Sequence, residues 1–230
     1  MKLSARFIAC ILFCSLCCSA REVGLRYNFN DPENLKQAWE FHCSLLMVPR
    51  TSFKIENVAS AEDKKSLVVE ANSATGVLMT DPKVDLLKFP VMRWRWRVVR
   101  PINIPRNGKE PDDQAGVVYL GDGTMVRQKS IAYRWECNNS LGTKKDVSYA
   151  GGMMKVRVEC IRNRSTPVGE WVVEERDVLA DFIRAYKRFP GKYFILGIGA
   201  NSQYSKSDTR LEIDYIEFVS RKNNINYTRR

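Results

Sequence analysis

RWRWRVV, residues 93–99, alternates charge and apolar bulk without a break. Successive side chains of an extended strand leave on opposite faces, so Arg93, Arg95 and Arg97 share one face and Trp94, Trp96 and Val98 the other. A strand of this kind is half buried, with tryptophans inward and guanidinium groups outward. The same period recurs in SFKIENV (52–58), SIAYRWEC (130–137), MKVRVECI (154–161) and LEIDYIEF (211–218), and SLVVEA, AGVVYL and YFILGIGA read as further strands. Turn-forming residues separate them in RNGK (106–109), GDG (121–123), NNSLG (138–142) and PGK (190–192). Two stretches read as helices. One is 31–39, with Asp31 as N-cap and Pro32 in the first turn. The other is 177–189, where Val178, Phe182, Ala185 and Phe189 fall on one face. Many short strands with two short helices predict an all-β fold, a two-sheet antiparallel β-sandwich of the jelly-roll type.

The chain has 230 residues, 37 Lys and Arg against 26 Asp and Glu, and a single His. One His excludes zinc sites with two His ligands. GxGxxG, GxxxxGK[ST] and HExxH are all absent, which removes the common nucleotide and metalloprotease signatures. Residues 1–20 place Lys2 and Arg6 before an apolar run from Phe7 to Cys18 and end in Ser19-Ala20. This is the layout of a signal peptide cleaved after Ala20, with lipoprotein cleavage before Cys17 or Cys18 as the alternative; its apolar part is too short to span a bilayer, and it predicts export to the periplasm or beyond with no transmembrane segment in the mature chain. Its removal takes four of the seven cysteines and leaves Cys43, Cys137 and Cys160. Cys137 and Cys160 end two alternating runs. If those runs form a hairpin turning near 145–150, the two cysteines lie opposite one another and form a disulfide. Residues 21–220 are then one sandwich domain, and RKNNINYTRR (221–230) a basic, disordered tail.

Several segments, in matching order and spacing, resemble a family of secreted bacterial proteins known as domain of unknown function 3047. They are ANSATGVLM (71–79), KFPVMRWRWRV (88–98), PDDQAGVVYL (111–120), SIAYRWE (130–136), GEWVVEERDVLADF (169–182) and LEIDYIEF (211–218). The resemblance implies an exported protein with a sandwich fold like that of carbohydrate-binding modules. It implies no activity. The family tends to carry Arg shortly after the paired Asp, where this chain has Gly116.

Three groups of residues are candidates for function. The stripe Arg93, Arg95 and Arg97, extended by Arg134, offers a basic platform for an anionic envelope polymer, unless Glu136, Glu159, Glu212 or Asp214 pair with it across the strands. Asp112 and Asp113 offer hard oxygen donors for calcium, completed by Asp122, Glu136 or Asp214. Asp112 or Asp113 with Glu136 could instead supply the acid and base of a polysaccharide lyase or glycoside hydrolase. Sugar-stacking aromatics are sought at Trp39, Tyr119, Trp171 and Tyr204, since Trp94, Trp96 and Trp135 face the core. No nucleic-acid recognition motif is present. The reading that follows is a non-catalytic binding module for a carbohydrate or anionic polymer, with a glycan-cleaving enzyme or a structural envelope partner as alternatives.

Overall fold

A computed structural model describes residues 21–42, 47–104, 111–123, 127–191 and 194–222. The expectations for residues 1–20, for Cys43 and for the tail from residue 223 on lie outside the described residues. Arg221 is within them, and its Nε donates to Asp177 at 2.7 Å.

The described residues form thirteen strands and two α-helices in the order β1 (Val23–Asn28), α1 (Pro32–Ala38), β2 (Glu40–His42), β3 (Ser52–Asn57), β4 (Lys65–Asn72), β5 (Thr75–Thr80), β6 (Val91–Arg100), β7 (Gln114–Asp122), β8 (Gln128–Trp135), β9 (Lys144–Tyr149), β10 (Met154–Arg162), β11 (Val172–Asp177), α2 (Val178–Tyr186), β12 (Phe194–Asn201) and β13 (Asp208–Val219). Sheet A has the order β11-β6-β13-β4-β3, with β1 also paired to β13. Sheet B has the order β2-β5-β12-β7-β8-β10-β9. The fold is the expected two-sheet, jelly-roll-like sandwich. Among the named strands of the described residues every pairing is antiparallel except that β10 runs parallel to β8; an isolated parallel bridge also joins Arg50 to Thr75. No helix among the described residues is long and apolar enough to cross a membrane.

The alternation in 93–99 does what its chemistry requires. Trp94 and Trp96 are fully buried between the sheets, and Trp96 meets Trp135 of sheet B edge-on with ring centres 5.5 Å apart. Trp94 lies 5.5 Å from the ring of Tyr133. These contacts join β6 of one sheet to β8 of the other, so the core is an aromatic stack surrounded by aliphatic residues from both sheets. LEIDYIEF departs from strict period two at Asp214-Tyr215, and the register of β13 against β6 shifts between Ile213 and Tyr215. That bulge lets Leu211, Ile213, Ile216 and Phe218 all enter the core.

Both helices form: Asp31, the expected cap, accepts from the Glu33 amide, and Asp177 caps the second helix by accepting from the Ala180 amide. The second helix is shorter than its pattern. It ends at Tyr186, with Lys187 in the left-handed region, so Phe189 falls outside it and is 62 % exposed. Val178, Leu179 and Phe182 form the buried face, and Tyr186 ties the helix to the sheet by donating to Ser130 O at 2.7 Å.

The parallel β8–β10 pair corrects the expected cysteine hairpin. The connection 138–153 contains a strand of its own, β9, and the hairpin turn at Ala150–Gly152 joins β9 to β10. Cys160 therefore pairs with Arg134, while the Cys137 carbonyl accepts from the Arg164 amide beyond the strand end. Both residues are buried, with Cys137 Sγ directed at Ile102 O and Cys160 Sγ at Asn139 O.

Candidate functional site

Sheet A carries the arginine stripe on its outer face, and every member has a carboxylate. Arg93 contacts Glu217 at 3.0 Å and Glu175 at 3.6 Å, Arg95 pairs with Asp214, and Arg97 with Glu212 at 2.7 Å. Arg210 and Arg26 extend the lattice to Glu56, Glu70, Glu62 and Glu217. The Trp171 ring closes over both Arg95 and Arg97, 4.7 and 4.5 Å from ring centre to guanidinium carbon. Glu212, Asp214 and Glu217 are buried beneath the stripe. Burial outweighs Arg95 and holds the Asp214 carboxyl above its usual range. The stripe is thus a charge-balanced cover, and a polyanion would have to compete with acids already in place. Arg95→Ala leaves Asp214 buried without its cation, held only by the Glu62 amide, and should cost about 3 kcal/mol in a thermal or denaturant melt. Retention on a heparin column should be unchanged by the same substitution.

Arg134 does not extend that stripe. It lies on sheet B, between Tyr133 and Trp135, which point into the core, and its own side chain leaves on the outer face beside Val117 and Cys160. There it organises a compact polar group. Arg134 Nη1 donates to Asp112 Oδ1 at 2.6 Å and Nη2 to the Tyr149 hydroxyl at 2.8 Å, and that hydroxyl donates to Asp112 Oδ2 at 2.6 Å. Glu136 approaches from the other side, its Oε1 3.8 Å from Arg134 Nη1 and 3.1 Å from Lys145 Nζ. Asn139 donates to Glu136 Oε2 at 2.5 Å. Arg134 is 4 % exposed and Glu136 3 %, while Asp112 and Lys145 keep about a third of their side chains in solvent. Arg134 Nε and Glu136 Oε1 are buried without a hydrogen-bond partner among the described residues.

The strands explain the convergence. Lys145, Val147 and Tyr149 alternate along β9 onto the same face, and Asp112 precedes β7, whose Val117 is the cross-strand neighbour of Arg134. Along the same outer face runs a second apolar cluster, separate from the core: Val117, Tyr119, Ala132, Val156 and Val158, with Val77, Met79, Val147 and Tyr149 packed on it. Tyr119 lies against the backbone of Gly197, where a Cβ would sit 2.2 Å from its ring. Burial pushes the Tyr119 and Tyr133 hydroxyls well up and the Tyr149 hydroxyl to about 12.

That last shift has a sign. A phenol whose pKa is raised on folding contributes stability that is complete below its ordinary value near 10 and is lost as the pH rises through about 12. Denaturant midpoints measured at about pH 9 and about pH 11 should therefore fall, and Tyr149→Phe should show the smaller fall.

Asp113 does not join Asp112. It is 1 % exposed and accepts the amides of Tyr204 and Ser205 at 3.2 and 2.7 Å, pinning the 203–207 turn. Asp122 ends β7 at its far end, bound to Arg188 and the Gly191 amide, and Asp214 lies on the other sheet. The proposed calcium set is therefore dispersed, and among the described residues no three of His, Cys, Asp and Glu gather as metal ligands. Of the acid–base candidates, Asp112 and Glu136 do come together, both within 3.8 Å of one guanidinium nitrogen. Glu159 pairs with Lys144 and Arg176 instead of the stripe. Trp39 is a core residue against Tyr27 and Phe29, and Tyr204 is exposed on its turn. Sequence reasoning missed Tyr149 and Lys145. The alternation of KKDVSY was their only signal.

A family model described as protein of unknown function, DUF3047, matches residues 38–217. The chain belongs to that family. No curated protein matches this member. Among solved structures it is similar to the xyloglucanase domain of a type three effector from Sinorhizobium fredii, at 8 % identity and TM-score 0.46, covering 86 % of this chain and 98 % of that one. It is similar to a xylan-binding domain from Paenibacillus barcinonensis at 11 % identity and TM-score 0.43, covering 88 % and 97 %. It is similar also to the winged bean acidic lectin at 12 % identity and TM-score 0.45, covering 85 % and 98 %. Likeness at this level is one of architecture and assigns no ligand to the DUF3047 chain.

Proposed function

We propose that this DUF3047 protein is a non-catalytic glycan-binding module whose contact surface is the outer face of sheet B around Arg134. The observation that carries the reading is the Arg134–Asp112–Tyr149–Glu136 group itself. Buried charges on a sheet surface are a net cost to folding, and groups so perturbed concentrate at functional sites. Next to it lies a second apolar cluster whose centre is buried and whose margin, Val77, Met79, Val147 and Tyr149, is partly exposed. A sugar ring has apolar C–H faces and a polar hydroxyl edge, and this pairing of surfaces matches both. Arg134 and Lys145 balance Asp112 and Glu136, which favours a neutral glycan over a polyanion. Glu136 is buried and ion-paired and Asp113 is held by backbone amides, which favours binding over hydrolysis. The leader-like pattern of residues 1–20 supports placing the module outside the cytoplasm.

A glycan array carrying neutral and acidic polysaccharides tests this. Neutral glycans should be retained in a salt-insensitive way, and Tyr149→Ala should weaken them about tenfold, roughly 1.4 kcal/mol. Retention of acidic polymers alone, falling steeply with salt, would reverse the reading.

A further inference from the structure

The C-terminus of α2 gathers basic side chains from several elements at one end of the sandwich. Asp122 of β7, Lys129 of β8 and Lys155 of β10 stand in one row across sheet B. Tyr186, the last residue of α2, brings its hydroxyl to 2.9 Å from Lys155 O, and Lys129 Nζ lies 5.4 Å from the centre of its ring. Arg184 occupies the last turn of the helix, Lys187 and Arg188 follow it, and Arg127 is exposed just before β8. Two carboxylates stand against these six cations: Asp122 takes Arg188 and Asp181 takes Arg184. The neighbouring Arg157–Asp146 pair is neutral. Among the described residues Arg127, Lys129, Lys155 and Lys187 have no carboxylate partner, in contrast to the stripe on sheet A.

Apolar side chains flank these charges. Phe189 is 62 % exposed, and Met153, in the turn before β10, is 45 % exposed. A soluble polyanion would engage the lysines alone, whereas a bilayer offers headgroup phosphates to the lysines and an apolar boundary to the ring. Both ends of the described chain sit there too. Val23 pairs with Val219 beside Val91, and Arg221 donates to Asp177 immediately before α2. The basic residues 223–230, and any segment retained before residue 21, therefore join the sandwich at this end.

We infer that this end of the molecule docks on an anionic phospholipid bilayer, with Lys129, Lys155 and Lys187 at the headgroup phosphates and Phe189 at the acyl boundary. Arg134 lies at the opposite end of β8 from Lys129, so docking leaves the proposed glycan face open. The inference does not rest on the glycan reading.

The chain from Arg21 to Arg230, which carries the whole described sandwich, is sedimented with vesicles of phosphatidylcholine, pure or with about one-third phosphatidylglycerol, at about 0.1 M salt. Binding is expected to the anionic vesicles only. Each basic residue near such a surface is worth about fivefold in partitioning, so Lys155→Gln with Lys187→Gln should weaken binding about 25-fold. Phe189→Ser should weaken it at high salt as well as low, because burial of an apolar ring is not screened. All three side chains are exposed, so the variants should melt with the parent. Tyr149→Ala should bind vesicles as the parent does, which keeps this result separate from the glycan one. Retention of the parent on dextran sulfate but on neither vesicle would assign the patch to a soluble polyanion and overturn bilayer docking. Binding to none of these, or equal vesicle binding by the double variant and the parent, would overturn it as well.

Discussion

Trp96→Ala is expected to destabilise the protein by about 3–5 kcal/mol, enough to leave much of it unfolded under ordinary conditions. Trp96 is fully buried, packs against Trp94 in its own sheet and Trp135 in the other, and donates its indole N–H to Glu174 at 3.3 Å. Truncation opens a void where the two sheets meet and also strips Glu174 of one donor. Trp96→Phe restores most of the volume without the donor and should recover most, though not all, of the loss. Chemical denaturation followed by tryptophan fluorescence measures both. Equal stability of Trp96→Ala and the parent would contradict the packing described.

Arg134→Ala is the second large effect. It leaves Glu136 and Asp112 facing each other with the central cation gone, and truncation of one member of a buried ion pair costs about 3–5 kcal/mol. Arg134→Met, which keeps the apolar stem, should not rescue stability, because the loss lies in the uncompensated carboxylates. The double variant Arg134→Met with Glu136→Gln should regain a substantial part. That pattern in a double-mutant cycle identifies the group as one coupled network. Additive losses would show that Arg134 and Glu136 act independently.

Much of the fold was legible because its strands are half buried. In RWRWRVV and SIAYRWEC, one face meets the core and the other meets solvent or ions, so the period of two is written in side-chain polarity. The strands that escaped notice are those for which that contrast fails. Strand β1 pairs with β13 while showing mostly exposed residues, β2 is three residues long, β5 carries Val77 and Met79 on the outer face as apolar as its inner one, and β11 buries Glu174 while exposing Val173. Strand β9 lies where the sequence suggests a hairpin turn, and by pairing with β10 it leaves β10 to run parallel to β8.

The site was legible in part. Asp112, Arg134 and Glu136 are all singled out by residue type, yet their convergence depends on which sheet each strand joins, and alternation within one strand carries no such information. The arginine stripe shows the same limit from the other direction. Arg93, Arg95 and Arg97 do share a face, but the register of β13 against β6 decides that Glu217, Asp214 and Glu212 neutralise them.

The central claim is that glycan meets sheet B at the Arg134 group. Amide hydrogen exchange with and without saturating cellohexaose, xylohexaose or mannohexaose, whichever the parent protein binds, reads it segment by segment. Added protection is expected in β7, β8 and β9 and in the loop bearing Asp112, with β6, β11 and β13 unchanged. Protection confined to β6, β11 and β13 would place the ligand on the arginine face of sheet A and contradict it.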